Sequence, residues 1–252
     1  MLIRNFISKG YAEFDDPEIY RLSEEFALAF KNIHANGYDV FLNTDKDDLG
    51  IVFKDELFRR RHNVDCQNIY GLQLNKYAIN YILQKVGQER RDVRESVNYM
   101  MSLAKQLIYY EHYLLQSNLV KIDKNIHSML ANATNEDRHI LRLSWYFVTK
   151  DNVMLRNHCD DNAFTFFTYS KGGELVLLEN DGAEKKVRSH LTTVIPGSQL
   201  EEYSRIKPTQ HLVRITSAED AKASRISVST KFFIYCTLVA FIVHLRKITD
   251  YE

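Results

Sequence analysis

The chain has 252 residues, enough to bury a substantial core, and a barrel of this length commonly forms one domain. It carries 33 basic and 33 acidic residues, a balance that argues against a nucleic-acid partner or an anionic membrane surface. The three cysteines are scattered and lack the spacing of a zinc site or a disulfide scaffold. We therefore expect a cytoplasmic protein without a signal peptide or membrane association.

The first predicted element is a helix that begins at Asp16, a capping carboxylate followed by proline at the first helical position. Gly37 predicts its end, and alternating apolar residues then predict a strand over residues 38–43. The helix is indicated by apolar residues that recur every three or four positions, namely Ile19, Leu22, Phe26, Phe30 and Ile33.

Two further helices are predicted before residue 120. A short basic helix over residues 53–62 indicates a solvated face rather than a binding surface, because the rest of the chain is not basic. The longest helix is expected over about residues 92–116. Its apolar stripe consists of Val93, Val97, Met100, Ala104, Leu107, Ile108 and Leu115.

From residue 140 onward the pattern changes to short strands. Turn signals at residues 171–173, 180–182 and 196–197 separate them. Short strands at this spacing predict a sandwich or a jelly roll.

Within this strand region, His158 and Asp160 form a His-x-Asp pair. Because successive side chains of a strand point to opposite faces, the two share one face while Cys159 points away. His211, fifty residues further on, is the best candidate for a third ligand. Two histidines and one carboxylate are the ligand set of non-haem Fe(II) oxygenases. Taken singly, either histidine could instead be a core residue bonded to the backbone.

A second polar pair, Arg225 and Ser227, follows fourteen residues after His211 and again alternates on one face. A guanidinium beside a hydroxyl suits a carboxylate held by two hydrogen bonds, although Arg225 alone could close a surface ion pair. The order His-x-Asp, His, Arg-x-Ser resembles the isopenicillin N synthase-like family of Fe(II) and 2-oxoglutarate-dependent oxygenases.

The resemblance covers about residues 140–236. Residues 140–146 resemble the family strand that contacts the co-substrate, with Ser144 where Asn is usual and Tyr146 at the usual Tyr. Other segments resemble the hairpin after the metal strand, the two strands before the distal histidine and the closing strand; they are residues 172–182, 193–200, 207–213 and 225–233.

The resemblance implies an α+β fold with a double-stranded β-helix, a jelly-roll, cupin-like barrel braced by N-terminal helices. We expect residues 1–136 to form a helical N-terminal portion packed on the barrel. Residues 137–252 would form the catalytic core, within one structural unit overall.

The resemblance also implies an enzyme of specialised metabolism that oxidises an unactivated C–H bond of a small molecule with Fe(II), 2-oxoglutarate and O2. Asp160 indicates hydroxylation, desaturation or cyclisation, because related halogenases carry a small residue at this position. The implied iron ligands are His158, Asp160 and His211. The implied contacts to 2-oxoglutarate are Arg225, Ser227, Tyr146 and Ser144.

Alternation alone suggests substrate contacts. Arg156 has the parity of His158 and Lys231 that of Arg225, so either could receive an anionic group of the substrate. Lys231 could equally extend to the rim of the cavity. Two other functions stay open: an iron oxidase of the same family that does not use 2-oxoglutarate, and a non-catalytic binding module on the same fold.

Overall fold

A computed structural model of the chain describes residues 6, 8–46, 48–53, 66–119, 139–148, 153–179, 181–204, 206–214 and 224–234. Within these ranges the side chains of residues 52–53, 66–70, 118–119, 146–148, 153–156, 203 and 224 lie outside the description. The predicted basic helix beyond residue 53 and the apolar run beyond residue 234 also lie outside the described residues.

The described strands form two antiparallel sheets. The larger sheet has the order β1-β9-β6-β11-β4-β3-β2, and the smaller sheet has the order β5-β10-β7-β8. The strands are β1 (Ala12–Phe14), β2 (Gly50–Phe53), β3 (Cys66–Leu74), β4 (His139–Val148), β5 (Val153–His158), β6 (Phe164–Lys171), β7 (Glu174–Leu178), β8 (Glu184–Lys186), β9 (Thr192–Pro196), β10 (His211–Arg214) and β11 (Ser224–Phe232).

The structure confirms the helix predicted to begin after Asp16 and to end at Gly37. The helices are α1 (Pro17–Ala35), α2 (Lys76–Val86), α3 (Arg91–Leu114) and α4 (Ser198–Tyr203). At the start of α1, the Asp16 carboxylate accepts a hydrogen bond from the Ile19 amide at 3.1 Å. At its end, Gly37 adopts a positive φ of 70°, and the Tyr38 amide donates to the Ile33 carbonyl at 2.9 Å. All five residues of the predicted apolar stripe are buried.

The helices cover one face of the larger sheet and leave its other face to the site. The predicted apolar stripe of α3 is buried throughout, including Leu115 just beyond the helix. Apart from Leu115, the stripe packs in one cluster with Leu141 and Leu143 of β4 and with Ile226 and Val228 of β11. The residues that alternate with these on β4 and β11 therefore point to the opposite, inner face of the sheet.

One predicted strand is wrong, and another ends earlier than predicted. Residues 38–43 contain a 3-10 turn, Asp39–Leu42, in which the Phe41 amide donates to the Tyr38 carbonyl at 3.1 Å. Leu42 is buried but Val40 is 57% exposed, so the apolar alternation does not line a sheet face. Residues 193–200 begin as strand β9, but the chain turns at Gly197 into helix α4.

The first 136 residues supply more than helices. Strands β1, β2 and β3 belong to the larger sheet, where β1 pairs with β9 and β3 pairs with β4. Helix α2 begins at Asn75, whose side chain accepts from the Ala78 amide at 2.9 Å. The division of the chain at residue 137 stays a prediction. No helix in the described ranges is both long enough and apolar enough to cross a membrane.

One carboxyl group lies inside the core. Glu111 of α3 is fully buried against Thr230 of β11, and burial raises the pKa of its carboxyl to about 8. Between these two pKa values the Glu111 carboxyl is therefore neutral in the folded protein. In the unfolded chain, where its pKa is near 4.5, it is ionised.

We expect this burial to tilt the pH dependence of folding. A raised carboxyl pKa gives stability that is present below pH 4.5 and is lost as the pH rises towards 8, at up to about 1.4 kcal/mol per pH unit. The Glu111→Gln variant should lack this loss. Urea unfolding of both proteins between pH 5 and 8 measures it, and Glu95→Gln on the exposed face of α3 is the control. A difference between wild type and Glu111→Gln that does not change with pH would contradict the prediction.

Candidate metal centre

The structure brings His158, Asp160 and His211 together. His158 ends β5 and His211 begins β10, and the two are directly paired across the strands, with ring centroids 4.2 Å apart. The Asp160 carboxylate lies 4.0 Å from Nε2 of His158 and 3.9 Å from Nε2 of His211. One potential ligand atom from each residue falls within 4.8 Å of the others.

Asp160 lies just past β5 and is held by backbone contacts with the start of α4. The Ser198 amide donates to the Asp160 carbonyl at 2.9 Å, and the Gln199 amide donates to the Asn162 carbonyl at 3.1 Å. Gly197, which precedes Ser198, must be glycine because a Cβ at this position would overlap the Asn162 backbone. Helix α4, which replaces the end of the strand predicted over residues 193–200, therefore helps to position the Asp160 carboxylate.

The imidazole of His211 is buried and oriented. It is 3% exposed, its Nδ1 lies 3.4 Å from the Thr209 carbonyl, and its ring meets Phe167 edge-on at 5.5 Å. Burial lowers the pKa of His211 to about 4, against the opposing effect of the Asp160 charge. At neutral pH His211 is uncharged, so with its Nδ1 directed to the backbone the Nε2 lone pair faces Asp160 and can bind a metal.

The Asp160 carboxylate has two close protein partners. The Thr165 hydroxyl donates to Oδ2 at 2.6 Å, and the Lys231 ammonium donates to Oδ1 at 2.8 Å. Burial alone would raise the pKa of Asp160, but the charge of Lys231 and the contacts with His211 and Thr165 hold it well below its usual range. Asp160 is therefore ionised although it is only 6% exposed.

This donor set fits a divalent transition-metal ion. Two imidazoles and one ionised carboxylate converge from one side, which leaves the opposite side of a bound ion open. His158 has a 22% exposed side chain, whereas those of Asp160 and His211 are almost fully buried. The more exposed side of the centre is therefore the His158 side.

Arg225 and Ser227 lie on the inner face of the larger sheet. Arg225 is 2% exposed and pairs in register with Tyr146, and Ser227 lies between Ser144 of β4 and Ser170 of β6. Arg225 and Ser227 also line a small cleft with Phe167. Because Phe167 contacts His211 as well, the cleft lies beside the three converging residues.

The remaining predicted site residues are Ser144, Tyr146, Arg156 and Lys231. Ser144 is buried opposite Ser227, while the side chains of Tyr146 and Arg156 lie outside the described residues. Lys231 lies on the inner face, as its parity predicts, and contacts Asp160. The sequence did not indicate Thr165; its Cα is paired with that of Lys231, a register that only the folded sheet reveals.

Comparison with solved structures gives the fold. The chain aligns over 98% of its length with 94% of a candidate oxygenase from Shewanella oneidensis, at a TM-score of 0.73 and 14% identity. It aligns over 92% of its length with 86% of the Arabidopsis thaliana dioxygenase for auxin oxidation 1, solved with 2-oxoglutarate, at a TM-score of 0.64 and 13% identity. A full-length Neurospora crassa protein, solved with α-ketoglutarate, matches over 92% of this chain and 78% of its own, at a TM-score of 0.65 and 16% identity.

No protein-family profile and no curated protein sequence matches the chain. At these identities the structural likeness shows the fold. It confirms the predicted α+β fold class with a double-stranded β-helix, and it agrees with the predicted resemblance to Fe(II) and 2-oxoglutarate oxygenases.

Replacing Thr165 by valine should destabilise the protein by about 1–3 kcal/mol, because the buried Asp160 carboxylate loses one of its two close donors and the Asn162 amide loses the hydroxyl that accepts from it at 2.9 Å. Urea unfolding of the metal-free protein measures the change. Thr192→Val is the matched control, since its hydroxyl is equally buried and has no hydrogen-bond partner among the described residues. Equal effects of the two substitutions would show that the Thr165 hydrogen bond does not stabilise the fold.

Proposed function

We propose that the protein is an Fe(II)- and 2-oxoglutarate-dependent oxygenase that oxidises a C–H bond of a small molecule. The observation that carries this proposal is the convergence of His158, Asp160 and His211 beside a buried arginine on the facing strand. The structural neighbours support it, because two of them were solved with 2-oxoglutarate or α-ketoglutarate.

The proposed iron ligands and the proposed 2-oxoglutarate contacts lie on different sheets. On the smaller sheet and the segment after β5, two imidazoles and one carboxylate would hold Fe(II). On the larger sheet, the Arg225 guanidinium and the Ser227 hydroxyl would bind the far carboxylate of 2-oxoglutarate. Ser144 lies in register with Ser227, and Tyr146 with Arg225, so both strands can contribute to this contact.

Bound iron would supply the oxidation of the substrate, coupled to oxidative decarboxylation of 2-oxoglutarate with O2. The protein would position the reactants and limit the access of water. Burial of Asp160, His211 and Arg225 supports this role, because each is at most 6% exposed.

The substrate is a small molecule in this proposal. The Neurospora crassa neighbour was also solved with thymine and with 5-formyluracil. We further propose that the substrate of this chain carries an anionic group, contacted by Arg156 or Lys231. The position of Lys231 on the inner face supports this choice, although its ammonium is bound to Asp160 in the structure and would have to leave it first.

An anaerobic titration tests the co-substrate site. Adding Fe(II) and then 2-oxoglutarate should produce the weak visible charge-transfer absorption of the chelate. Arg225→Gln should weaken 2-oxoglutarate binding at least about tenfold, because a charged hydrogen-bond donor to a carboxylate is lost. Arg214→Gln is the matched control, since Arg214 forms a partly exposed pair with Glu184 at 3.0 Å.

Circular dichroism of Arg225→Gln must first show a folded protein. Iron binding without the absorption band would favour the oxidase that does not use 2-oxoglutarate. A wild-type protein that binds no iron, together with an Arg225→Gln variant that behaves like wild type, would leave a non-catalytic binding module.

A further inference from the structure

Lys231 directly contacts one of the three potential metal ligands. Its ammonium lies 2.8 Å from Oδ1 of Asp160, and its side chain is only 16% exposed. The Thr165 hydroxyl holds Oδ2 of the same carboxylate. Both oxygens of Asp160 therefore have a protein partner before a metal binds.

We infer that Lys231 is an internal cation that competes with the metal for Asp160 and thereby sets the metal affinity of the centre. The inference rests on the proposed function, because it concerns the same site. In this inference the role of Lys231 is its contact with Asp160, and Arg156 remains the candidate contact for an anionic group of the substrate.

The competition follows from charge and burial. A metal ion that binds Asp160 must either displace the ammonium or share the carboxylate with it. Displacement breaks a buried ion pair, and sharing places two cations a few ångströms apart where little water screens them. Asp160 is 6% exposed, so solvent cannot remove either cost.

Asp161 offers Lys231 a second position. Its Oδ1 lies 3.9 Å from the Lys231 ammonium, and its side chain is 78% exposed. When a metal takes Asp160, Lys231 can move to Asp161 and remain paired. The two neighbouring carboxylates thus allow the ammonium to exchange partners over a short distance.

The first experiment measures Fe(II) dissociation constants by anaerobic calorimetry for wild type, Lys231→Met and Lys231→Arg. Removing the cation should tighten Fe(II) binding at least about tenfold, because one close unit charge is lost from a buried site. Lys231→Arg keeps the charge and should stay within a few-fold of wild type. Lys186→Met removes an exposed lysine with the same 2.8 Å contact, to Glu174, and should change nothing.

A second readout is the Fe(II)-dependent rise in the thermal unfolding midpoint, which should be larger in Lys231→Met than in wild type. Unchanged or weaker Fe(II) binding by a folded Lys231→Met protein overturns the inference while leaving the proposed function intact. If neither wild type nor Lys231→Met binds Fe(II), the proposed function fails and the inference with it. Binding by Lys231→Met alone supports competition in its strongest form.

The Asp161→Asn variant leaves Lys231 in place and so tests the exchange even if Lys231→Met folds poorly. It should weaken Fe(II) binding several-fold, because the ammonium loses its second partner. The same substitution in the Lys231→Met background should have little effect. Equal weakening in both backgrounds would show that Asp161 acts on the metal directly and would overturn the exchange between carboxylates.

Discussion

The candidate centre depends on one buried carboxylate. Asp160 stays ionised at 6% exposure because an ammonium and a hydroxyl each contact one of its oxygens. An isolated charge in such a position would be far too costly to retain. Thr165 and Lys231 belong to β6 and β11 of the larger sheet, whereas Asp160 follows β5 of the smaller sheet. The carboxylate therefore links the two sheets at the point where their functional residues meet.

The same arrangement explains why the helices matter to the site. They cover the outer face of the larger sheet with apolar contacts, so the polar residues of β4 and β11 are directed inward. Helix α4 acts more directly, because its first amides bind the backbone around Asp160. The apolar packing of the helices on the outer face and the hydrogen bonds from α4 therefore both help to fix the position of the Asp160 side chain.

Local sequence patterns predicted the parts of this arrangement that depend on one strand at a time. The shared face of Arg225 and Ser227 follows from alternation, and the helix from residue 17 follows from its cap and apolar spacing. The contact of Lys231 with Asp160 was not predictable in this way, because it joins a strand of the larger sheet to the segment after β5 of the smaller sheet. Residues 38–43 were misread because a short apolar alternation can also occur in a turn whose alternate side chains stay exposed.

The position of β5 has a further consequence. Among the described strands β5 pairs only with β10, so it forms the edge of the smaller sheet and carries His158 on its last residue. An edge strand has hydrogen bonds on one side only and opens more readily than a central strand. Asp160 lies past the end of β5, so among the described strands His158 is the one candidate ligand carried by an edge. Local opening of β5 would therefore separate His158 from His211 while leaving the pairing of β10 with β7 in place.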